Sequence, residues 1–397
     1  MNIALFTDCY KPIKNGVVTS VLQLKDGLEE KGHNVFVITV EVPNYIEKDE
    51  NIYRMQSFKV GLGTEQRFGL FHQGPINRFL LKKNIQLIHT HTEFSIGYCG
   101  KWAAKKLKIP HIHTTHTMWE DYRHYILNGK LISRNLARNI LKAFLKRVFV
   151  IIAPSIKAKK YYQELVPDIP VKVIPNGIDI QKFKSSKITN DEISQLRKEF
   201  NLKKNDKILI FVGRIGKEKR VMELFDTIVP IIKSNPNVKM LFVGDGPQLP
   251  ELMRKAKEAN LEKEFIFTGF VNWELVYRLY SISSIFVTAS LSEVHPMTLI
   301  EATMCGLPII TRRDDSYLDL VNNGVNGYLV DTDEEISSCI QKLLNDNKLL
   351  EMFSDESYNI SQKFTAENHV NKVEALYNKV LECYPDVNKI REFCELD

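Results

Sequence analysis

Residues 292–302 of the chain read Ser-Glu-Val-His-Pro-Met-Thr-Leu-Ile-Glu-Ala and place two glutamates eight positions apart around a proline. The apolar run 284–290 just before them predicts a buried strand, and Pro296 suits the first turn of a helix. Glu293 is therefore expected in a strand-to-helix loop at the carboxyl end of a sheet. That edge is where open α/β folds bind their ligands.

The helix after the proline is expected to form the second half of the same site. Glu301 should lie about two turns further on, on the same helix face as Glu293. The backbone N–H groups of Met297, Thr298 and Leu299 should point towards an anion, which the helix dipole also favours. Carboxylates beside such an anion site predict binding of a nucleotide diphosphate with a sugar at each end.

A second motif supplies positive charge earlier in the chain. Residues 207–212, Lys-Ile-Leu-Ile-Phe-Val, predict a strand, and the glycine-containing loop after it carries Arg214 and Lys219, five positions apart. Arginine suits a bidentate contact with phosphate oxygens and lysine a point charge. Fixed cations of this kind stabilise the negative charge that builds on a departing diphosphate. Alone the pattern is weak, because surface cations in loops are usually only solvated, but together with the two glutamates it predicts a diphosphate clamp.

Strands and helices alternate along both halves of the chain, which implies parallel sheets with helices on both faces. The predicted strands are 2–8, 34–40, 85–91, 111–116, 148–154 and 171–175, then 207–214, 238–245, 264–270, 284–290, 307–311 and 328–331, with helices such as 17–31 and 95–107 between them. We predict an α/β protein of two Rossmann-like doubly wound domains, 1–180 and 181–364, facing across a cleft. The last helix, in about 365–397, is expected to pack back on the first domain.

Length and composition are those of an ordinary globular protein. The chain has 397 residues, of which 44% are hydrophobic and 26% charged, enough for two domains with full cores. No run approaches the roughly 20 apolar residues of a membrane span, and the first residues predict a strand rather than a cleavable signal. A cytoplasmic location is therefore expected. The six cysteines show neither a CxxC pair nor metal-ligand spacing, which predicts reduced, structural thiols.

The pattern of Glu293 and Glu301 resembles the EX7E donor-site signature of the retaining glycosyltransferases of family 4, which have the GT-B fold. Arg214 and Lys219 match the same family, and the similarity covers nearly the whole chain. The resemblance implies that these two cations bind the donor diphosphate, that Glu301 accepts from ribose hydroxyls and that Glu293 contacts the donor sugar. It also implies that the catalytic residues are His116, Arg214, Lys219 and Glu293. In this family the reaction proceeds without a stable covalent intermediate, and the leaving diphosphate accepts the proton of the acceptor.

Two glycine loops and one histidine extend the resemblance. Gly16 follows the first strand and would let the backbone approach the phosphates closely, while Asn15 stands where the family usually has another glycine. Gly244, in Gly-Asp-Gly-Pro, would lie in the nucleotide-side loop, although a plain turn explains the sequence equally well. His116 would contact the transferred sugar, as the family's histidine does here. Without the other motifs, a hydrogen-bonded histidine at a strand end would explain it.

No cofactor is expected to be required. His89 and His91 alternate along a predicted strand and suggest a metal site, but no third ligand with suitable spacing accompanies them. Retaining GT-B enzymes do not need a metal held by a DxD site, so Asp314 and Asp315 are expected to form a polar loop pair, and a divalent cation would only stimulate. No nucleophile and no glycosidase-like carboxylate pair stands out.

Positive charge is concentrated in one segment. Residues 122–163 contain ten Lys or Arg and no Asp or Glu, and because the whole chain carries +6, the remainder is at −4. Basic residues recur every four positions from 130 to 146, and apolar residues from 132 to 148, which predicts one helix with opposite basic and apolar faces. A domain helix explains the apolar row but not the missing acids, which usually pair with bases on helix surfaces. We predict contact with anionic lipids, at about 1 kcal/mol per basic residue, through Lys130, Arg134, Arg138, Lys142, Lys146 and Arg147, with 78–83 as a second contact.

Nucleic acid, the other polyanionic partner, is not expected, because the sequence contains no recognised binding module and no aromatic stacking platform. Two N-terminal segments, 89–97 and 116–125, look like bacterial 1,2-diacylglycerol 3-α-glucosyltransferases. They imply that glucose passes from UDP-glucose to diacylglycerol, giving α-monoglucosyldiacylglycerol, and that the protein is peripheral on the inner face of the cell membrane.

Three alternatives stay open at this point. The acceptor could instead be phosphatidylinositol, a glycolipid or a soluble sugar, and the donor could differ, since residues 312–316 replace the family's usual Gly-Gly in a loop that faces the donor. A UDP-sugar 2-epimerase would share the architecture and show no lipid dependence. A catalytically silent membrane-binding module is a further class, which the intact Arg214, Lys219, Glu293 and Glu301 disfavour.

Overall fold

A computed structural model describes residues 1–13, 15–60, 67–116, 134–180 and 188–395, the side chains of Arg134 and Glu274 excepted. The chain divides into two compact units. The first unit comprises Met1–Gly177 and Ala366–Asp397, and the second unit comprises Ile178–Thr365. Among the helices within the described ranges, none combines the length and the apolar character needed to cross a membrane.

The first unit is built on a parallel sheet. Its strands are β1 (Asn2–Phe6), β2 (Asn34–Val40), β3 (Ile52–Met55), the short pair β4 (Ser57–Lys59) and β5 (Arg67–Gly69), and then β6 (Leu87–Thr90), β7 (His111–Thr114), β8 (Val150–Ala153) and β9 (Val171–Val173). Seven of them form one sheet in the order β3-β2-β1-β6-β7-β8-β9, and β4 pairs antiparallel with β5. The sequence did not predict β3, β4 or β5.

Helices cover both faces of this sheet: α1 (Gly16–Glu30), α2 (Gln73–Lys82), α3 (Ser95–Leu107), α4 (Arg134–Leu145) and α5 (Ile156–Leu165). Successive side chains of β1 serve opposite cores, since Ile3 and Leu5 pack with α1 whereas Ala4 and Phe6 pack with α2 and α3. Burial on both faces explains why these strands are continuous apolar runs rather than alternating ones.

The second unit repeats the design. Its elements are α6 (Asn190–Glu199), β10 (Lys207–Val212), α7 (Val221–Ser234), β11 (Val238–Val243), α8 (Leu249–Glu258), β12 (Phe265–Phe267), α9 (Trp273–Ser281), β13 (Ile285–Thr288), α10 (Met297–Met304), β14 (Ile309–Arg312), β15 (Gly327–Val330), α11 (Asp333–Asn345) and α12 (Asn347–Ser361). All six strands are parallel, in the order β12-β11-β10-β13-β14-β15. The predicted α/β class with two doubly wound sheets is confirmed.

Two further helices, α13 (Ala366–Cys383) and α14 (Val387–Glu395), belong to the first unit. Val370 of α13 lies so close to α1 that a β-carbon added at Gly27 would be 2.6 Å from its Cγ2 atom. Leu376 and Tyr377 are fully buried in the same core as Leu24. The absence of a side chain at Gly27 therefore lets α1 and α13 pack at close range.

In both sheets the strand order reverses beside the first strand, which gives β2-β1-β6 in the first unit and β11-β10-β13 in the second. Connections leave the two central strands towards opposite faces at such a switch point, and the crevice at the carboxyl ends of the strands is where doubly wound folds bind ligands. A ligand site is therefore expected at the loops after β1, β6, β10 and β13.

The predicted apolar row of the basic segment is wrong at Leu136 and Ile140 and right at Phe144 and Val148. Leu136 is 47% exposed and Ile140 half-buried, and Ile132 lies outside the described residues. Phe144 and Val148 of the predicted row are buried, and so are Ala137, Leu141 and Leu145, which do not belong to it. Residues spaced by four drift round a helix by about 40° per step, whereas alternating spacings of three and four stay on one side. The basic row also outruns the helix, which ends at Leu145, and Lys130 is not among the described residues.

Candidate functional site

The loop after β10 meets the loop after β13 at the switch point of the second unit. Lys219 lies in a single 3₁₀ turn, Lys217–Lys219, and its Nζ is 2.5 Å from Oε1 of Glu293. Ser290 donates a hydrogen bond to the same carboxylate oxygen at 3.1 Å. Two motifs that are far apart in the sequence are thus joined by a largely buried ion pair.

Hydrogen bonds to the backbone fix both loops. The Ser292 hydroxyl donates to the carbonyl of Glu218 at 2.9 Å, and the fully buried Tyr317 donates to the carbonyl of Ser290 at 2.9 Å. These contacts hold Glu293 in place before a ligand arrives, which is the condition for electrostatic catalysis without reorganisation.

Glu301 is the most buried charged group of this region, with 3% of its surface exposed. Its Oε1 accepts from Trp273 Nε1 at 2.7 Å, and its Oε2 accepts from the Tyr280 hydroxyl at 2.9 Å. Burial raises the pKa of Glu301 to about 7, although both hydrogen bonds lower it. The two glutamates do not share a helix face, contrary to prediction, because α10 begins at Met297 and Glu293 precedes it.

Sequence reasoning missed Trp273 and Tyr280. They lie seven positions apart on α9, which puts both on one face of the helix. A buried carboxylate needs hydrogen-bond donors, and an indole N–H with a phenol on one helix face was a signal that could have been searched for.

The amino end of α10 has fewer available N–H groups than predicted. Leu299 N already donates to the carbonyl of Pro296 at 3.0 Å. The first N–H groups of a helix have no partner within it, which narrows the expected anion contacts to Met297 and Thr298.

The Gly-Asp-Gly-Pro loop after β11 packs directly on the loop that carries Arg214. Ile215 N donates to Asp245 O at 2.9 Å, and Gln248 N donates back to Ile215 O at 3.0 Å. Gly244 has φ +136°, and a β-carbon there would lie 1.9 Å from the carbonyl oxygen of Gly213. Loop packing alone therefore requires this glycine. The Arg214 side chain is exposed next to it.

The residues that replace the family's Gly-Gly bind to the amino end of α11. One Asp333 oxygen accepts from Arg312 at 2.6 Å and the other from Arg220 at 2.6 Å. Arg313 donates to Asp331 at 2.9 Å. Asp314 Oδ1 accepts from the backbone N–H of Ser316 at 2.9 Å, which is a turn contact.

At the switch point of the first unit, a buried acid links the loop after β1 to the residues after β6. Asp8, after β1, accepts hydrogen bonds from Thr92 at 2.6 Å, Ser95 at 2.5 Å and the backbone N–H of Ile96 at 3.0 Å. Burial raises the pKa of this carboxyl group. At the end of the same loop Gly16 opens α1, and a β-carbon there would meet nothing within 4 Å.

Six histidines lie near one another in the first unit, on or close to β6, β7 and α13: His89, His91, His111, His113, His116 and His369. His91 Nδ1 lies 3.1 Å from His116 Nε2, and the two rings are stacked. His89 is held by Tyr377 at 2.5 Å and by Thr114 at 2.6 Å. Burial lowers the pKa of His89 and His91 far below the usual range and that of His116 to about 3. These side chains are therefore neutral at pH 7. Within the described ranges, no group of three or more His, Cys, Asp or Glu has the arrangement of a metal site.

Comparison with known proteins agrees with this architecture. Residues 14–182 match the family described as Glycosyltransferase Family 4, and residues 192–360 match Glycosyl transferases group 1. The α-monoglucosyldiacylglycerol synthase of Acholeplasma laidlawii is 31% identical over 95% of this chain and 96% of its own length. The protein of the same name from Streptococcus pneumoniae is 32% identical over 95% of this chain and 85% of its own.

Solved structures show the same fold. Anabaena HepE in complex with UDP has a TM-score of 0.73 at 17% identity, over 95% of this chain and all of HepE. The two parallel sheets, with charged loops at the switch point of the second, define a glycosyltransferase of the GT-B fold. The chain belongs to glycosyltransferase family 4, as the sequence predicted.

Proposed function

We propose that the protein transfers glucose from UDP-glucose to 1,2-diacylglycerol and forms α-monoglucosyldiacylglycerol with retention of the anomeric configuration. One observation carries the proposal: two relatives named for that product are 31% and 32% identical over 95% of the chain. The aligned residues span both units. The similarity to these two synthases therefore includes the residues assigned to the donor and those assigned to the acceptor.

The donor diphosphate is assigned to Arg214 and Lys219 at the second switch point, with backbone N–H groups of Met297 and Thr298 and the nearby Gly244 loop as further contacts. Lys219 is already bound to Glu293, so a diphosphate would share its charge and release Glu293 to accept from a donor-sugar hydroxyl. Protein cations would stabilise the departing diphosphate. The proposal needs no resident cofactor, and a divalent cation would only stimulate.

Glu301 is assigned to the ribose. An ionised carboxylate has about four acceptor sites, and Trp273 and Tyr280 occupy one on each oxygen. The remaining lone pairs can accept from two ribose hydroxyls without a change of rotamer.

The chemical step is a substitution at the anomeric carbon. The acceptor oxygen forms a bond to that carbon, the bond from the carbon to the β-phosphate oxygen breaks, and the acceptor proton passes to the diphosphate, which leaves as UDP. In the first unit, His116 is assigned to the transferred sugar and Gly16 to the phosphates. A neutral imidazole that shares a hydrogen bond with His91 suits contact with a sugar hydroxyl.

Membrane contact at the inner face is assigned to the basic segment. Lys142, Lys146 and Arg147 are exposed, whereas Arg138 is half-buried with its guanidinium 5.9 Å from the centroid of the Tyr161 ring. Lys130 and the side chain of Arg134 lie outside the described residues. The exposed Leu136 on the same helix adds an apolar side chain that a lipid surface could cover.

The test is transfer of radiolabelled glucose from UDP-glucose into the organic phase, with mixed micelles of diacylglycerol and phosphatidylglycerol. We expect a monoglucosyl lipid that requires diacylglycerol and increases with the anionic lipid. Label that reaches only a soluble acceptor, or a lipid other than diacylglycerol, would show that diacylglycerol is not the acceptor. Conversion of free UDP-glucose to its 2-epimer without lipid would show that the protein is an epimerase and not a transferase.

A further inference from the structure

An aromatic row lies on the surface of the first unit. Phe58 and Phe68 face each other across β4 and β5 with ring centroids 5.6 Å apart. Phe71 follows at 5.6 Å from Phe68, and Trp102 of α3 at 5.3 Å from Phe71. Phe58 is 51% exposed, Phe71 44% and Trp102 43%. Large apolar patches on the surface of a soluble protein mark sites that bind another protein, a ligand or a membrane.

A basic cavity adjoins the end of this row. It has a volume of about 240 Å³ and is lined by Lys101, Trp102, Lys105, Lys146 and Arg147. Lys101 and Lys105 are one turn apart on α3, while Lys146 and Arg147 follow the last turn of α4. In the described part of the chain none of these four cations pairs with a carboxylate.

Keeping these four cations close together is electrostatically unfavourable. Lys101 donates a hydrogen bond to the carbonyl of Ala143, which ties α3 to the end of α4. Burial, followed by the charges of Arg147 and Lys146, lowers the pKa of Lys101. Arg147 has φ +82°, a conformation that is uncommon for residues other than glycine. An anion in the cavity would offset the mutual repulsion of the cations.

We propose that the aromatic row Phe58–Phe68–Phe71–Trp102 and the adjoining cavity form one membrane-docking surface, in which the rings enter the headgroup region and the cavity holds the phosphate of an anionic phospholipid. Trp102 favours this boundary because its ring is apolar while its indole N–H can reach water. The three phenylalanines contribute apolar area that a lipid surface would bury. Four cations without a carboxylate complement a negatively charged lipid plane. The inference rests on the proposed lipid acceptor and moves the main contact from the exposed side of α4 to α3 and the β4–β5 pair.

Binding of the full chain to sedimenting vesicles tests the surface. Vesicles of phosphatidylcholine alone are compared with vesicles that also contain phosphatidylglycerol, over a range of salt. We expect Lys105→Gln and Lys146→Gln each to weaken binding to the anionic vesicles about fivefold and to flatten the salt dependence. Phe71→Ser should weaken it about tenfold while the salt dependence persists.

Matched controls lie in the second unit. Lys233→Gln removes an exposed lysine and Met352→Ser an exposed apolar side chain, and both should bind vesicles as the unaltered chain does. Quenching of tryptophan fluorescence by brominated phospholipid should be largely lost in Trp102→Phe, since Trp102 is the tryptophan placed in the row.

Unchanged vesicle binding in Phe71→Ser and Lys105→Gln would overturn the inference. So would equal binding to vesicles without phosphatidylglycerol, or a self-association in solution that Phe71→Ser abolishes while vesicle binding persists. Glucosyl transfer by the unaltered chain in detergent micelles is measured separately. Its failure would count against the proposed function and would leave the vesicle results to decide the surface.

Discussion

The two units share one strand order around the switch point but differ in its electrostatics. In the second unit, an ion pair joins Lys219 to Glu293 across the switch point. In the first unit, the loops after β1, β6 and β7 hold a buried acid, Asp8, whose pKa is raised, and histidines whose pKa burial lowers, such as His91 and His116. The switch point of the second unit thus contains an ion pair, whereas that of the first unit contains neutral imidazoles beside a buried acid whose pKa is raised.

The difference shows that topology decides where a site lies and the loop residues decide what it can bind. A diphosphate requires fixed cations, which the second unit supplies at a largely buried position. An uncharged acceptor can be held by hydrogen bonds alone, and neutral imidazoles such as those of the first unit can donate and accept them. The predictions below test this division.

Acid should destabilise the first unit before the second, which is the largest effect expected. Burial lowers the pKa of His89, His91, His111, His116 and His369, so the unfolded chain binds more protons below about pH 6.5. Their stabilisation is present above that pH and is lost as pH falls towards the folded-state pKa, which is about 3 for His111 and His116. The loss at pH 5 is about 2 kcal/mol for each of those two.

Asp8 offsets part of this loss, because its raised pKa makes its contribution larger as pH falls. Glu301 acts in the same direction in the second unit: its pKa of about 7 means stability that is present below pH 4.5 and lost as pH rises through 7. Hydrogen exchange at pH 5 and pH 7, corrected for intrinsic rates, should show β6 and β7 opening first in acid. Earlier opening of β10 and β13 would contradict the prediction that acid destabilises the first unit before the second.

Replacing Lys219 by alanine should reduce kcat/KM about 10²- to 10³-fold, since it removes a preorganised cation from the developing diphosphate charge. The exposed Lys217, in the same 3₁₀ turn, is the matched control, and Lys217→Ala should keep nearly full activity. Thermal unfolding should change little in both variants. An equal loss in both would mean that the turn, rather than the charge, matters.

The donor KM should fall about tenfold between pH 6 and pH 8 because Glu301 ionises with a pKa of about 7. Only the ionised group offers all its lone pairs to ribose hydroxyls. Glu301→Gln mimics the protonated acid and should show the high KM at every pH, whereas Glu262→Gln, an exposed site, should titrate like the unaltered chain. A pH-dependent KM that survives in Glu301→Gln would exclude this carboxylate as the titrating group.

Much of this arrangement follows from the sequence. Residues 208–212 of β10 are all apolar because both faces of the strand pack into a core. The carboxyl ends of neighbouring strands must meet at one edge of the sheet, which is why Lys219 and Glu293 could be expected near each other. Capping chemistry is equally local, as in Asn15, whose side chain accepts from Val18 N at the start of α1.

The remaining features depend on packing between elements that are distant in sequence. Nothing near Glu301 in the sequence shows that α9 brings Trp273 and Tyr280 to its two oxygens. The four-residue spacing in the basic segment fits more than one helix face, and only the packing of α4 buries Ala137 and exposes Leu136. The pair β4 and β5 escaped prediction because each strand has only three residues, shorter than the usual five or six.

Replacing His91 at the switch point of the first unit should have the smallest effect on activity. His91 Nδ1 lies 3.1 Å from His116 Nε2, and His91 Nε2 is buried without a hydrogen-bond partner among the described residues. We expect His91 to act as a positioning residue that fixes the ring plane and tautomer of His116, so His91→Ala should lower kcat about fivefold with little change in donor KM. His91→Asn places a side-chain amide near the lost Nδ1 and should restore most of kcat. His111→Asn is the control, because His111 is equally buried but bonds to Thr90 instead. If His91→Asn fails to recover activity while both asparagine variants lose the same thermal stability, His91 is structural and the neutral site does not depend on it.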